Sequence, residues 1–107
     1  MKYREVRGTD LRVSEIAFGC GGNAGLMLRA SAAEQQRVAG RALEAGINYF
    51  DNAPDYGDGL AERNLGNLLR VLGVRQEVTV VTKVEVRAEN LTDVAGHVRR
   101  STEASLK

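Results

Sequence analysis

The feature that most constrains the fold is the regular spacing of three short apolar segments along the chain. Each has the length and the β-branched or aromatic composition of a strand: Ile16–Phe18, Ile47–Phe50 and Val78–Val81. These predicted strands end near Gly19, Asp51 and Lys83, so successive ends are 32 residues apart. Because a (β/α)8 barrel of about 250 residues has about 31 residues per β–α unit, the spacing is typical of the amino-terminal part of such a barrel.

Helices are predicted after each strand. Ser31 and Glu34 have the spacing of a capping box, and Gly46 can end the helix that begins there. The next two helices have apolar residues at helical spacing: Leu65, Leu68, Leu69 and Leu72 before Gly73, and Leu91, Val94, Ala95 and Val98 after a cap at Asn90 or Thr92. We expect these apolar stripes to face the core. Alternating strands and helices predict an α/β fold with a parallel sheet, and the equal intervals favour a barrel over a doubly wound sheet.

An amino-terminal β-hairpin is predicted before the first β–α unit, at about residues 2–14. Arg7–Asp10 is rich in turn-forming residues and separates two segments, Lys2–Val6 and Leu11–Val13, that can pair as strands. The β–α units then cover about residues 16–45, 47–72 and 78–106. We therefore expect residues 1–107 to form one partial domain, with open strand edges through which chains could self-associate.

Composition argues against several classes of function. Lys and Arg number 15 and Asp and Glu number 14, and no basic cluster indicates binding to nucleic acid or to a membrane surface. No segment has the length and apolarity of a signal peptide or a membrane span, so we expect a cytoplasmic protein. Cys20 is the only cysteine, which excludes an intramolecular disulfide and a cysteine-rich zinc site, and no metal site is predicted.

Three polar residues near the predicted strand ends are candidates for catalysis. In a barrel, the carboxyl ends of the strands and the loops after them form the active-site face. Asp51 and Lys83 end consecutive strands, which lie about 4.8 Å apart in a sheet. The loop after Asp51 contains glycine and proline and could turn Tyr56 back over the same edge. The alternative is a purely structural ion pair of Asp51 and Lys83, because buried charges are normally paired.

The same three residue types suit the reduction of a carbonyl group. Hydride transfer to the carbonyl carbon leaves an alkoxide that needs a proton from a nearby acid. A free tyrosine, with a pKa of about 10, is a weak donor near neutral pH, and a neighbouring lysine ammonium favours the phenolate and lowers that pKa. In this hypothesis Tyr56 donates the proton, Lys83 stabilises the phenolate, and Asp51 keeps Lys83 in place and charged.

The sequence resembles the aldo-keto reductase family along essentially its whole length. The similar segments are Tyr3–Val6, Leu11–Ser14, Phe18–Gly19, Phe50–Gly57, Glu62, Leu65–Gly66 and Val80–Val84. The resemblance implies a (β/α)8 barrel and reversible hydride transfer between NADPH or NADH and an aldehyde, ketone or sugar carbonyl. It also implies that Tyr56 is the proton donor and that Lys83 and Asp51 tune it.

The resemblance further implies where the cofactor would lie. The positions that correspond to its nicotinamide end are Gly19, Cys20, Gly21 and Asp51. In the family, most contacts to the cofactor phosphates come from the last two β–α units of the barrel. Asn52 and Ala61 stand where threonine and serine are common in the family, and we expect these departures to matter little.

The family's fourth catalytic residue, a histidine at the end of the fourth strand, would fall at about position 115, one interval beyond Lys83. The chain ends at Lys107, and its sole histidine, His97, is predicted on the third helix instead. We therefore expect the 107-residue chain alone to be an inactive fragment of a longer enzyme.

Two alternatives remain beside this interpretation. Gly19-x-Gly21-x-x-Ala24 after a strand fits the glycine pattern of a Rossmann dinucleotide site. However, the predicted helix cap comes only at Ser31, and Asp51 lies 27 residues past Ala24, where about 20 are expected. The second alternative is a non-catalytic cofactor-binding partner protein, because potassium-channel β-subunits also resemble this fold. No partner-binding segment, such as a long amino-terminal extension, is evident in the sequence.

Overall fold

The fold contains a hairpin and a separate parallel sheet. The computed structural model describes residues 1–22 and 25–106. The strands of the antiparallel hairpin are β1 (Tyr3–Glu5) and β2 (Arg12–Ser14). The strands of the parallel sheet, in spatial order, are β3 (Phe18–Gly19), β4 (Tyr49–Asp51) and β5 (Thr79–Val81). The predicted hairpin and parallel α/β arrangement are therefore confirmed.

Helices follow each parallel strand within the described residues. They are α1 (Leu26–Arg29), α2 (Ala32–Glu44), α3 (Leu60–Leu72) and α4 (Val94–Ser105), with short 3-10 turns at Arg75–Glu77 and Ala88–Asn90. As predicted, the hydroxyl of Ser31 caps α2 by accepting a hydrogen bond from Glu34 N at 3.2 Å. Gly73 ends α3 in the left-handed conformation, at a φ of 70°. No helix in the described part is both long and apolar enough to cross a membrane.

The beginning of α4 differs from the sequence prediction. The cap is Asp93, whose carboxylate accepts from Gly96 N at 3.0 Å, rather than Asn90 or Thr92. The side chain of Asn90 accepts instead from Arg87 N at 2.9 Å, and so belongs to the 3-10 turn before the helix. Because three residues that can cap a helix lie within four positions, the local sequence pattern did not decide between them.

The prediction that the apolar stripe of α4 faces the core is also wrong. Leu91, Val94 and Val98 are 67%, 40% and 39% exposed, and α4 contains no buried residue. The parallel sheet ends at β5 on this side, so no described element covers this stripe. In α3, by contrast, the predicted stripe is buried against the rest of the fold at Leu65, Leu68 and Leu69.

Phe50 in the central strand shows which face of the sheet packs against the helices. Its side chain is fully buried in the core with the α3 leucines, and its ring lies 5.1 Å from that of Phe18 in β3. Successive side chains of a strand point to opposite faces. Asp51, the next residue, therefore points away from the helices, toward what would be the interior of a barrel.

The hairpin closes the opposite end of the parallel sheet from Asp51. Tyr3 donates its hydroxyl to Gly46 O at 2.9 Å, just before β4 begins. Asn48 accepts from Ser14 N at 2.7 Å and donates to Arg12 O at 2.9 Å. These bonds hold the amino-terminal strand ends, and they leave the carboxyl ends free to carry a site.

The predicted strand end at Lys83 is corrected by the structure. β5 ends at Val81, which is the register partner of Asp51, and Lys83 lies two residues beyond it. Asn52 N still donates to Val81 O at 2.8 Å, but the chain after Asn52 turns into a loop. Among the described residues, no strand lies beside Lys83 for it to pair with.

We predict that Leu69→Ala lowers the free energy of unfolding by about 2–5 kcal/mol, because it opens a cavity in the core. The matched control on the same helix is Val71→Ala, at a side chain that is 58% exposed, which should change stability by less than about 0.5 kcal/mol. Urea titration followed by circular dichroism measures both. Equal losses would show that α3 does not bury this face.

Candidate active site

The amine of Lys83 is the point at which the candidate residues meet. Its Nζ lies 2.8 Å from Asp51 Oδ1 and 3.3 Å from Tyr56 Oη. It also lies 2.7 Å from the main-chain oxygen of Asn52. An ammonium group carries three N–H donors, and here each has an oxygen acceptor. The structure thus brings together the three residues that the sequence singled out for catalysis.

The register of the sheet explains why the side chains of Asp51 and Lys83 lie in contact. Asp51 is the last residue of β4 and lies opposite Val81 on β5. Lys83 follows Val81 by two residues, so in an extended chain its side chain faces the same way as that of Asp51. Neighbouring strands are about 4.8 Å apart, a gap that the long lysine side chain spans easily.

Tyr56 reaches the same edge because the loop after β4 folds back on itself. Tyr56 N donates to Ala53 O and Tyr56 O accepts from Ala61 N, both at 3.2 Å. Gly57, Asp58 and Gly59 all have positive φ, at 62°, 52° and 81°, a conformation that glycine adopts without strain. The ring centroid of Tyr56 then lies 5.0 Å from Lys83 Nζ. Glycine and proline in this loop were the sequence signal for such a turn.

The surroundings of Lys83 keep its amine charged. Desolvation alone lowers the pKa of Lys83, but the hydrogen bonds to Asp51 and Tyr56 and the charge of Asp51 raise it, and the net pKa is above its ordinary value. This stabilisation is fully present below the unfolded pKa of about 10.4 and is lost as pH rises through the higher folded value. The side chains of Lys83 and Asp51 are 47% and 40% exposed, so solvent screens the pair and limits its contribution to stability.

Of the predicted cofactor residues, Gly19 lies beside Asp51 and Cys20 points away. Gly19 pairs with Asp51 across the strands, and no atom lies within 4 Å of the position that a Cβ would take there. Cys20 is 1% exposed, and burial first, then the charge of Asp51, raises the pKa of its thiol to about 12. Its N–H already donates to Asp51 O at 2.8 Å. Cys20 therefore belongs to the core, and almost none of its surface is exposed to a ligand.

Gly21, the third of these residues, lies against Tyr56. A Cβ at Gly21 would come within 3.3 Å of two ring atoms of that tyrosine. The next position in the Rossmann glycine pattern, Ala24, lies outside the described residues. A helix does begin earlier than predicted, at Leu26, but it is only four residues long.

Sequence reasoning missed two features of this site. The first is the main-chain oxygen of Asn52 as an acceptor for Lys83, which no side-chain pattern could indicate. The second is the hydrogen bond from Thr82 Oγ1 to Glu62 Oε1, at 2.6 Å, which ties the segment before Lys83 to α3. His97 lies on α4 as predicted, where its Nε2 is 2.7 Å from Glu85 O.

A charged, polar centre at the carboxyl edge of a parallel α/β sheet lies where (β/α)8 barrels carry their active sites. A sequence model of the Aldo/keto reductase family matches residues 15–107, and the chain belongs to that family. Aldo-keto reductases are oxidoreductases. Their solved structures are (β/α)8 barrels, and this chain corresponds to an unclosed amino-terminal part of one.

Individual relatives agree with this assignment. The chain is 32% identical over 108 residues to "L-galactose dehydrogenase" of Arabidopsis thaliana, covering 100% of this chain and 34% of the relative. It is 38% identical over 85 residues to "Probable voltage-gated potassium channel subunit beta" of Oryza sativa subsp. japonica, covering 78% and 25%. A holo-form aldo-keto reductase from Bacillus halodurans superimposes with a TM-score of 0.75 at 31% identity, covering 99% and 35%. The chain thus spans about a third or less of the length of these relatives.

We predict that Asn52→Thr raises the free energy of unfolding by about 1 kcal/mol. Asn52 is 1% exposed, and its Nδ2 has no hydrogen-bond partner among the described residues. A buried donor without a partner costs about 1–3 kcal/mol. A threonine hydroxyl can replace Asn52 Oδ1, which accepts from Ala53 N at 2.9 Å. Urea denaturation measures the change.

The matched control for this prediction is Asn48→Thr. Both polar atoms of the Asn48 side chain are hydrogen-bonded, to Ser14 N and Arg12 O, so its replacement should lower stability. A loss of stability in Asn52→Thr as large as that in Asn48→Thr would mean that the Asn52 amide is satisfied in solution.

Proposed function

We propose that the full-length gene product containing these residues reduces the carbonyl group of an aldehyde, ketone or sugar at the expense of NADPH or NADH. The observation that carries this proposal is the contact of Tyr56 Oη with Lys83 Nζ, at 3.3 Å, where the same amine binds Asp51. When bound, a reduced nicotinamide would supply the hydride. The residues of this chain would then control the proton.

Tyr56 is the proton donor in this proposal. Hydride addition to the carbonyl carbon places a negative charge on the carbonyl oxygen, and the Tyr56 hydroxyl transfers its proton there to give the alcohol. The phenolate left behind lies beside the Lys83 ammonium, which stabilises it electrostatically. Tyr56 is only half-buried, so a proton from solvent can restore the hydroxyl before the next turnover.

Lys83 and Asp51 support this transfer without exchanging protons with the substrate. The hydrogen bonds from Lys83 to Asp51 Oδ1 and Asn52 O fix its amine, so that the third donor points at the phenol oxygen. A charged lysine held in this way needs little reorganisation when the phenolate forms. Without Asp51, Lys83 would lose both its anchor and a charge that favours the ammonium.

The residues present fit the nicotinamide end of a cofactor in part. The space beside Gly19 is open at the strand end, so a flat ring could approach the main chain there, next to the Asp51 carboxylate. Gly19 and Asp51 would hold this end of the cofactor. Cys20 would not contact the cofactor, because the whole residue lies in the core. The name of the L-galactose dehydrogenase relative supports sugars as one candidate class of substrate.

A second candidate function is that of a non-catalytic, cofactor-binding partner protein. The resemblance to proteins named as potassium channel β-subunits favours it. The two functions differ in one observable property, because a partner protein would bind NADPH and yet turn over no carbonyl. For the 107-residue chain alone we propose no activity, and we propose self-association through the edges of β3 and β5, each of which pairs on one side only among the described strands.

We predict that Tyr56→Phe in the full-length gene product lowers the rate of carbonyl-dependent NADPH oxidation by about 10²–10⁴, the usual loss for one general acid. The ring and its packing remain, so the Kd for NADPH should change little. The matched control is Tyr49→Phe, at a tyrosine in β4 whose hydroxyl is not among the contacts of Lys83. Near-full activity in Tyr56→Phe would exclude the proposed mechanism.

Lys83→Met should also slow turnover and should shift the pH dependence of the residual activity upward, because the charge that stabilises the phenolate is gone. The purely structural alternative has a different outcome. If Lys83 and Asp51 were only an ion pair, Lys83→Met would lower the melting temperature and leave the pH profile of the rate unchanged. Stopped-flow rates between about pH 6 and 10, together with thermal melts, distinguish the two cases.

A further inference from the structure

We propose that Gly21 positions Tyr56 for proton transfer, and that its lack of a side chain, rather than contact with a cofactor, is what the site requires there. This inference rests on the proposed function of Tyr56 as the proton donor. A Cβ on Gly21 would lie 3.3 Å from Cε2 and Cζ of Tyr56 and 3.6 Å from its hydroxyl oxygen. At 3.3 Å the ring would have to move by a few tenths of an ångström.

Backbone conformation does not explain this glycine. The φ angle of Gly21 is not in the left-handed region, so it does not by itself require a glycine at this position. Gly57 and Gly59 differ, because their φ angles are positive. The constraint at Gly21 is therefore one of space, and the group that takes the space is the phenol ring.

Tyr56 has little freedom to accommodate such a displacement. Its main chain is held on both sides, by Tyr56 N donating to Ala53 O and by Ala61 N donating to Tyr56 O. The following residue is also packed closely, because a Cβ at Gly57 would lie 2.5 Å from Leu28 Cδ2. A displacement forced by a side chain at Gly21 would therefore fall mainly on the ring and its hydroxyl.

The hydroxyl of Tyr56 is sensitive to small shifts. Its distance to Lys83 Nζ is 3.3 Å, at the long end for a hydrogen bond, and a contact about 0.3 Å longer no longer qualifies as one. The proton must also reach the substrate oxygen from the same position. Because a misplacement of about 1 Å can cost about 100-fold in rate, a shift of a few tenths should cost about 10-fold.

The test compares Gly21→Ala with Gly22→Ala in the full-length gene product. Gly22 lies in the same loop, and a Cβ there would meet Leu28 Cδ1 at an ordinary 3.5 Å. We expect Gly21→Ala to lower kcat about 10-fold and to shift the pH profile of kcat, with little change in the Kd for NADPH. Gly22→Ala should behave as the parent protein does. An unchanged kcat in Gly21→Ala, or a loss that appears in the Kd for NADPH, would overturn the proposal.

A double-mutant cycle with Tyr56→Phe separates positioning from general damage to the site. The phenylalanine keeps the ring but has no proton to misplace, so adding Gly21→Ala should cause no further loss of rate. If Gly21 acted on the cofactor or on folding, its replacement would slow both backgrounds equally, and that result would refute the inference. If Tyr56→Phe itself had no effect on rate, the proposed function would fail, which is a distinguishable outcome.

Melting temperatures provide a second test that does not depend on activity. If the added methyl group conflicts with the phenol ring, Gly21→Ala should lower the melting temperature of the parent protein but not that of a Tyr56→Ala variant, in which the space is free. This comparison also applies if Gly21→Ala fails to fold in the parent background. An equal loss in both backgrounds would show that the ring is not what Gly21 accommodates.

Discussion

The ammonium group of Lys83 joins the segment after β5 to three acceptors at the end of β4 and in the loop that follows it, and the arrangement of the site follows from these bonds. One donor binds the carboxylate at the end of β4, one binds the main chain of Asn52, and one reaches the phenol in the loop before α3. The acceptors come from the last residue of β4 and the loop after it, whereas the amine comes from the segment after β5. The site therefore exists only while these two strands keep their register.

That register is maintained by parts of the molecule that lie outside the candidate site. Phe50, between Tyr49 and Asp51, anchors β4 in the core and directs the Asp51 carboxylate to the other face. The hairpin holds the amino-terminal ends of the strands through Tyr3 and Asn48. The hairpin contacts and the candidate site thus lie at opposite ends of the same short sheet, as the stabilising and active-site faces do in barrel enzymes.

Much of this arrangement could be predicted from the sequence, because it depends on local or periodic signals. The cap at Ser31, the helix end at Gly73 and the apolar stripe of α3 were all predicted correctly. The equal intervals from Gly19 to Asp51 and from Asp51 to Lys83 indicated neighbouring strands. The structure shows that β5 ends two residues before Lys83. β5 ends where the neighbouring strand β4 ends, because no partner remains for it to pair with. The sequence of β5 alone therefore did not reveal where β5 ends.

Other features could not be predicted from the sequence because they depend on tertiary packing. The sequence does not show that Cys20 faces the core while Gly19 faces open space, since the two are adjacent residues at the end of the same strand. The stripe of α4 has a helical period, but periodicity does not reveal whether another element covers it. The oxygen of Asn52 that binds Lys83 belongs to the main chain, which carries no sequence signal at all.

The most direct test of this account is a titration of the Lys83 amine by NMR in the full-length gene product, with the resonance assigned by comparison with Lys83→Arg. The account predicts that Lys83 titrates above the ordinary lysine pKa of about 10.4, and that Asp51→Asn lowers this value by removing the neighbouring negative charge. A Lys83 amine that titrates at or below the ordinary value, and that does not respond to Asp51→Asn, would contradict the account.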